Sequence, residues 1–595
     1  MRWAILLAGI VACTSAGTKE TASVVPSGSD TVEIVIAATT DVHGRLRAWD
    51  YYTARADSLR GLSRAATIID SIRQANSGRV VLVDAGDLLQ GNPLTHFAAR
   101  VDTTVDHPVV AAMNAMRYDA AALGNHEFNY GLETLARATR SATFPFLAAN
   151  AWRTDGQRAF PAYRIVERAG VRLAIIGATN PGSVVWDRAN LQGRVDVRDI
   201  VSEVRRAVGD VKRERPDVVV AVLHSGVDER SSYDTVASRV PSENVAARVA
   251  REVAGIDLVV YGHSHKEQAG LTIGSTLLIQ PRNWATSVAV ATLGVVRGRG
   301  VVAKRSTVIQ SAGHAESPTV VAAVRPAHEG TVRYVATPLG QTNVAWRSDS
   351  VRVADTPLID FINEVQRRRA GSELSSTAAF TLAQLDSGPI TIAEVAQLYP
   401  YENTLRAVRI SGAQLRAYLE HSARYYRSLG TTPLADPAIQ GYNFDMISGA
   451  DYTLDLSKPA GARVVSLTVR GRPVTPTDSF TLALNNYRQS GGGGFAMLAG
   501  ASVVYDAKED IRELLIDEVR RRGTLRPEDY FTRNWRLEPQ AAVAQAVAEL
   551  APAARATTTA NDGHLTNGRW LRVIATNDFH GALEPRTDSA GIPRG

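Results

Sequence analysis

Five short runs of apolar, mostly β-branched residues limit what this 595-residue chain can fold into. They are VEIVIAA (32–38), RVVLVDA (79–85), RLAIIGA (172–178), DVVVAVL (217–223) and DLVVYG (257–262). Strands that are apolar on both faces belong in a sheet covered on both sides. Between them, Ile200, Val204, Val208 and Val211 repeat at helical spacing, as do Val245, Val249, Val253 and Ile256. The pattern predicts a layered α/β domain over residues 31–310.

Polar clusters follow apolar runs at five places: TTDVHG (39–44), DAGDLLQG (84–91), LGNHEFNYG (123–131), LHSG (223–226) and YGHSHKE (261–267). In open α/β sheets, ligands bind outside the carboxyl ends of strands, so five strand ends can bring these clusters together. Five of the 12 histidines fall within them, alongside aspartate and asparagine. A single histidine is more often a packed or surface residue than a ligand. Five clusters in parallel positions make chance a poor explanation. Imidazole and carboxylate in this mixture suit zinc, manganese or iron. Asp41 and His43 are two residues apart, as are His263 and His265, so an extended backbone would point each pair the same way.

The flanking regions read differently. Arg2 precedes a short apolar stretch (3–12) that fits an export signal and is too short to span a bilayer. The only cysteine, Cys13, follows it in a context resembling a bacterial lipobox, which predicts a lipid-anchored protein exported to the periplasm or cell surface. Residues 14–30 read as a flexible tether. One cysteine allows no intrachain disulfide, so stability rests on the core. Residues 311–349 look irregular and predict a linker or hinge, and 350–540 a second α/β domain. There, Ser411 and Asp510 are expected to cap helices, the second closing before Gly523. An Ala/Thr-rich linker is expected at 541–568. Net charge is +6, mildly favourable to anionic ligands, with no basic run pointing to a nucleic-acid polymer.

The order D-x-H, G-D-x-x-x-G, G-N-H-E, H, G-H-x-H resembles the calcineurin-like metallophosphoesterases, and the two-domain layout resembles their secreted 5'-nucleotidase family. Within it, TTDVHGRLRAWDYY, DAGDLLQGNPL, ALGNHEFNYGLETL, YGHSHKE, LYPYENTL, GYNFDMISG, LNNYRQSGGGGF and NWRL are similar to the periplasmic 2',3'-cyclic-nucleotide 2'-phosphodiesterase/3'-nucleotidases. The similarity runs through residues 31–540.

The resemblance implies two divalent ions, such as Mn, Zn or Co. Asp41, His43, Asp87 and His265 would hold one; Asp87, Asn125, His224 and His263 would hold the other, with Asp87 bridging. His126 would stabilise or protonate the leaving oxygen, and Glu127 is expected to be structural. The 5'-nucleotidase branch pairs that histidine with an aspartate three positions on; here the residue is Asn129, as in the cyclic phosphodiesterase branch. Tyr442 and Tyr487 match an aromatic pair that sandwiches the base, with Phe444 as the alternative aromatic. Stacking of this kind tolerates any base. The 5'-nucleotidase branch also carries an acidic residue near Gly493, where this chain has only glycine.

The expected activity is hydrolysis of 2',3'-cyclic nucleotides and 3'-nucleotides by a monomeric enzyme. The alternatives are a 5'-nucleotidase, a nucleotide-sugar hydrolase, a thiosulfohydrolase relative, or a surface lipoprotein that binds nucleotides without catalysis. One feature lies beyond this scheme. ATNDFHGAL (575–583) matches ATTDVHGRL (38–46) at six of nine positions, setting Asp578 and His580 against Asp41 and His43. Residues 569–595 are therefore expected to begin a second, incomplete phosphoesterase domain.

Overall fold

A computed structural model describes residues 31–104, 106–498, 500–558, 586–587 and 593–594. Residues 31–310 form two six-stranded sheets. In the first, Thr31–Thr39 pairs in parallel with Val80–Asp84 and antiparallel with Ser287–Val296. Ala120–Ala122 and Phe146–Leu147 continue the parallel side. In the second, Val171–Ala178, Val218–Leu223, Leu258–Tyr261 and Thr276–Gln280 run parallel.

The strands are apolar throughout because each face meets a different layer. Ile34, Ile36 and Ala38 join Ile175, Val220 and Val260 in the core shared by the two sheets. Val35 and Ala37, on the opposite face, pack with residues of the helices Leu62–Ala75 and Pro108–Ala115. Outside the second sheet lie Ile200–Lys212 and Ala246–Glu252. The first keeps its expected buried stripe, Ile200, Val204, Val208 and Val211. The second is shorter than its period predicts, with Val245 and Val253 as its flanking residues.

Residues 311–349 are more regular than expected. They hold the 18-residue helix Pro318–Val335 and the strand Pro338–Thr342. Val320 and Val324 seat this helix in the same core as Val35, so it belongs to the first domain. Its stripe is legible in hindsight as Val320, Val324, Ala327, Thr331 and Val335, but Pro326 interrupts the pattern.

The second domain is built on a five-stranded sheet with Gly412–Ser422, Pro357–Ala370 and Ile511–Arg522. Both expected caps form. Ser411 accepts from Gln414 N at 3.1 Å, Asp510 from Glu513 N at 3.2 Å, and the second helix stops at Gly523. The expected linker at 541–568 is instead helical over Gln540–Thr558, because alanine is the strongest helix former. Further on, Arg586–Thr587 pairs with Pro593–Arg594. Among the described residues, no helix is long and apolar enough to cross a membrane.

Candidate metal centre

All five polar clusters lie where strands end. Thr31–Thr39 leads to Asp41 and His43, Val80–Asp84 to Asp87, and Ala120–Ala122 to Asn125 and His126. Val218–Leu223 leads to His224, and Leu258–Tyr261 to His263 and His265. The expectation of an extended backbone at the two-residue pairs fails. Asp41, His43, Asp87, His263 and His265 all have positive φ, between 47° and 72°. Each such residue costs roughly 1–3 kcal/mol, and so many at one place mark strain held for function. The left-handed turns curl the chain around a point, which a straight strand cannot do. Glycine makes room beside them: a Cβ on Gly124 would collide with the Asp87 carboxylate, and one on Gly262 with Thr40 and Asp41.

Among the described residues the donors converge in three overlapping groups: Asp41 with His43 and His265, His43 with Asp87 and His126, and Asp87 with His224 and His263. Within each, the ligand atoms lie within 4.8 Å of one another. Asn125 Oδ1 is 3.2 Å from His224 Nε2, and His43 Nε2 is 3.9 Å from Asp87 Oδ2. Two imidazoles are fixed from behind. His43 Nδ1 donates to Gln90 O and His224 Nδ1 to Ala85 O, each at 2.8 Å. When neutral, each therefore aims its Nε2 lone pair into the site. His43 Nε2 lies 3.1 Å from His265 Nε2, and His224 Nε2 lies 3.0 Å from Asp87 Oδ2. Donor atoms held this close can share one cation or, without it, a hydrogen bond. Burial opposes charging His224, yet Asp87 lifts it up to about 10. Burial would push Asp87 up, but His224, His126 and His43 hold it well below the usual carboxylate range. Burial holds His43 low against the pull of Asp87. The nitrogen and carboxylate donor set fits divalent transition ions.

His126 sits at the edge of this cluster with its side chain 30% exposed. Its backbone N–H donates to Asp87 Oδ1 at 2.8 Å, and its Nδ1 meets Asn129 Oδ1 at 2.6 Å. Nε2 points the other way, 3.9 Å from Asp87 Oδ2. Glu127 is turned inward and buried. Its carboxylate accepts from the backbone N–H groups of Asp87, Leu88, Leu89 and Gly124, at 2.5–3.0 Å. That fixes the loop carrying Asp87. Glu127→Ala should lower unfolding free energy by about 3 kcal/mol or more, because each orphaned buried donor costs about 1–3 kcal/mol. Urea denaturation would measure it, and a loss under about 1 kcal/mol would contradict this role.

Tyr442 and Tyr487 are both half-buried, on the second domain. Phe444 is buried among Tyr425, Tyr426 and Trp535, so it is a core residue. Burial pushes Tyr487 up to about 12, against Arg488 and with added effect from Tyr442 and Glu243. Glu243 Oε2 also lies 3.6 Å from His263 Nε2. Next to Tyr487, Asn486 Nδ2 donates to Trp186 O at 3.5 Å, and the Trp186 ring stacks on His263. These contacts bring the Tyr487 turn to the edge of the metal cluster. Sequence reading missed Glu243, Trp186 and Asp187, none of which stands in a motif. Cys13, Asp578 and His580 lie outside the described residues.

The chain matches the family description "calcineurin-like phosphoesterase" over residues 34–267 and "5'-nucleotidase, C-terminal domain" over 338–500. It is 31% identical over 593 residues to a Haemophilus influenzae 2',3'-cyclic-nucleotide 2'-phosphodiesterase/3'-nucleotidase, covering 86% of this chain and 88% of that one. It is 30% identical over 583 residues to a Bacillus subtilis trifunctional nucleotide phosphoesterase, of which it spans 39% while 86% of this chain is covered. A crystal structure of a Thermus thermophilus 5'-nucleotidase precursor aligns with TM-score 0.61 at 22% identity, over 85% of this chain and all of that one, a likeness of fold.

Proposed function

The chain belongs to the calcineurin-like phosphoesterases that carry a 5'-nucleotidase C-terminal domain, and from that premise we propose that it hydrolyses 2',3'-cyclic nucleotides and 3'-nucleotides. Water opens the cyclic diester to a monoester, and a second water converts the monoester to nucleoside and phosphate. The observation that carries this reading is the convergence of the donor set. Asp41, His43, Asp87 and His265 would hold one divalent ion, and Asp87, Asn125, His224 and His263 a second. Such ions, when bound, lower the pKa of water and neutralise phosphate charge.

The chain's own groups supply the rest. As an imidazolium, His126 keeps its Nδ1–H on Asn129 Oδ1 and delivers its Nε2 proton to the departing ribose oxygen as the P–O bond breaks, ending as the neutral ring. Tyr442 and Tyr487 hold the base. Two features favour 3'- over 5'-nucleotides. Asn129 stands where the 5'-nucleotidase branch has an acid. Gly493 has φ 73°, and a Cβ there would collide with Arg488 and Asn443, which leaves no room for an acidic side chain. The complete donor set argues against a binding protein without catalysis. Export with Cys13 as a lipid anchor belongs to the same proposal, resting on the leader sequence.

The test is a substrate panel on the metal-loaded protein. 2',3'-cAMP and 3'-AMP should turn over, with 5'-AMP and a nucleotide sugar far slower; a preference for 5'-AMP would overturn the assignment. In the same assay, Tyr442→Ala with Tyr487→Ala should raise KM for nucleotides about 10-fold or more, since stacking is worth about 1–3 kcal/mol per base. KM for bis(4-nitrophenyl) phosphate should stay unchanged. An unchanged KM for nucleotides as well would remove the sandwich.

A further inference from the structure

Asn129 is an uncommon partner for a histidine that must hand over a proton. Its amide has an oxygen on one side and an N–H₂ on the other, and electron density seldom tells them apart. Turned the wrong way, it would present N–H to His126 Nδ1 and bar the imidazolium that a proton donor has to be. Something has to fix its direction.

The group behind it is Asp187, 58 residues along the chain and only 7% exposed. Asn129 Nδ2 donates to Asp187 Oδ1 at 3.0 Å and to Oδ2 at 2.9 Å. Among the described residues, the one other side-chain bond to this carboxylate runs from Asn190 Nδ2 to Oδ1 at 3.4 Å. Asn190 also donates to Phe128 O and Asn129 O, at 2.9 and 3.2 Å, and so ties the loop in place. Asp187 stands at the N-terminus of the short helix Arg188–Leu191 but makes no side-chain cap there. Its carboxylate is spent on Asn129 instead. Burial pushes Asp187 up to about 6, with Asn129 and His126 pulling back, and both of its oxygens are placed to accept from the Asn129 amide.

We infer that Asp187 is a positioning residue for the leaving-group proton transfer, acting on His126 through Asn129. An ionised carboxylate accepts only, so the amide must face it with N–H₂. The amide oxygen then faces His126 Nδ1, which must be the N–H side. In the imidazolium, Nδ1–H is then held by the amide oxygen, and the proton free to leave is the one on Nε2, the nitrogen facing the donor cluster. The order carboxylate, amide, imidazole puts negative charge one residue farther from the histidine than a direct aspartate would. This inference rests on the role given to His126 above.

The experiment compares a poor and a good leaving group, 3'-AMP and 4-nitrophenyl phosphate, on full-length, metal-loaded protein. A nitrophenolate departs with little help from an acid. Asp187→Asn should lower kcat on 3'-AMP about 10- to 100-fold with KM unchanged, the range for outer-shell partners. On 4-nitrophenyl phosphate the loss should stay within about 2-fold. Asn129→Asp alone sets two carboxylates against each other and should also lose activity on 3'-AMP. The same change in the Asp187→Asn background places one carboxylate on His126 with an amide behind it, and should recover most of the loss. That double variant restores the hydrogen-bond count, so it reports even if Asp187→Asn folds poorly. Equal losses on both esters, or additive effects of the two changes, would overturn the inference. His126→Ala run alongside separates the failures. If it discriminates between the esters and Asp187→Asn does not, only the role of Asp187 falls. If His126→Ala does not discriminate, the proton-transfer reading falls first.

Discussion

Replacing Asp87 by asparagine is expected to cut hydrolysis of every phosphate ester on the order of 10³-fold or more. A metal ion supplies several kcal/mol of transition-state stabilisation, and each 1.36 kcal/mol is tenfold in rate. In the proposed arrangement Asp87 would serve both ions. Its Oδ2 lies 3.0 Å from His224 Nε2 and 3.9 Å from His43 Nε2, and its Oδ1 takes the backbone N–H of His126. Asparagine keeps the shape and removes the charge, so bound metal should fall with activity while the fold persists. Metal analysis beside a rate assay checks this. Wild-type metal content with lost activity would move Asp87 from ligand to another role.

His126→Ala should behave differently. Metal content should stay at the wild-type level, while kcat on 3'-AMP falls about 10²- to 10⁴-fold, the usual worth of a positioned acid or base. The side chain lies beside the donors, and its ring bonds Asn129. The loss should shrink sharply on 4-nitrophenyl phosphate. Rates on the two esters, with metal measured on the same preparation, check the prediction. A parallel loss of metal would make His126 a ligand, a reading its position in the His43–Asp87–His126 group makes concrete.

The site was legible in sequence where chemistry and strand ends coincide. Doubly apolar runs require a covered sheet, and polar clusters after such runs have one place to go. The seven proposed ligands meet there for that reason. The two-residue spacing was misleading. Asp41 and His43 converge through left-handed backbone, and φ is not written in a D-x-H motif. Glu127 was expected to be structural, but its four backbone partners come from tertiary placement that residue type does not encode. Asp187 was invisible because 58 residues separate it from Asn129 and no motif surrounds it. The helix Pro318–Val335 was hidden by Pro326, which ordinarily breaks a helix interior. The helix Gln540–Thr558 was hidden by composition, since an Ala/Thr-rich stretch reads as linker or helix with equal ease.

In the proposed function this cluster works by holding two divalent ions. The most direct measurement is titration of the metal-stripped protein with Mn²⁺, reading bound metal and 2',3'-cAMP hydrolysis on the same samples. Two ions per chain should bind, with turnover absent in the stripped protein and rising as the second site fills. Full turnover by protein containing no metal would contradict the account.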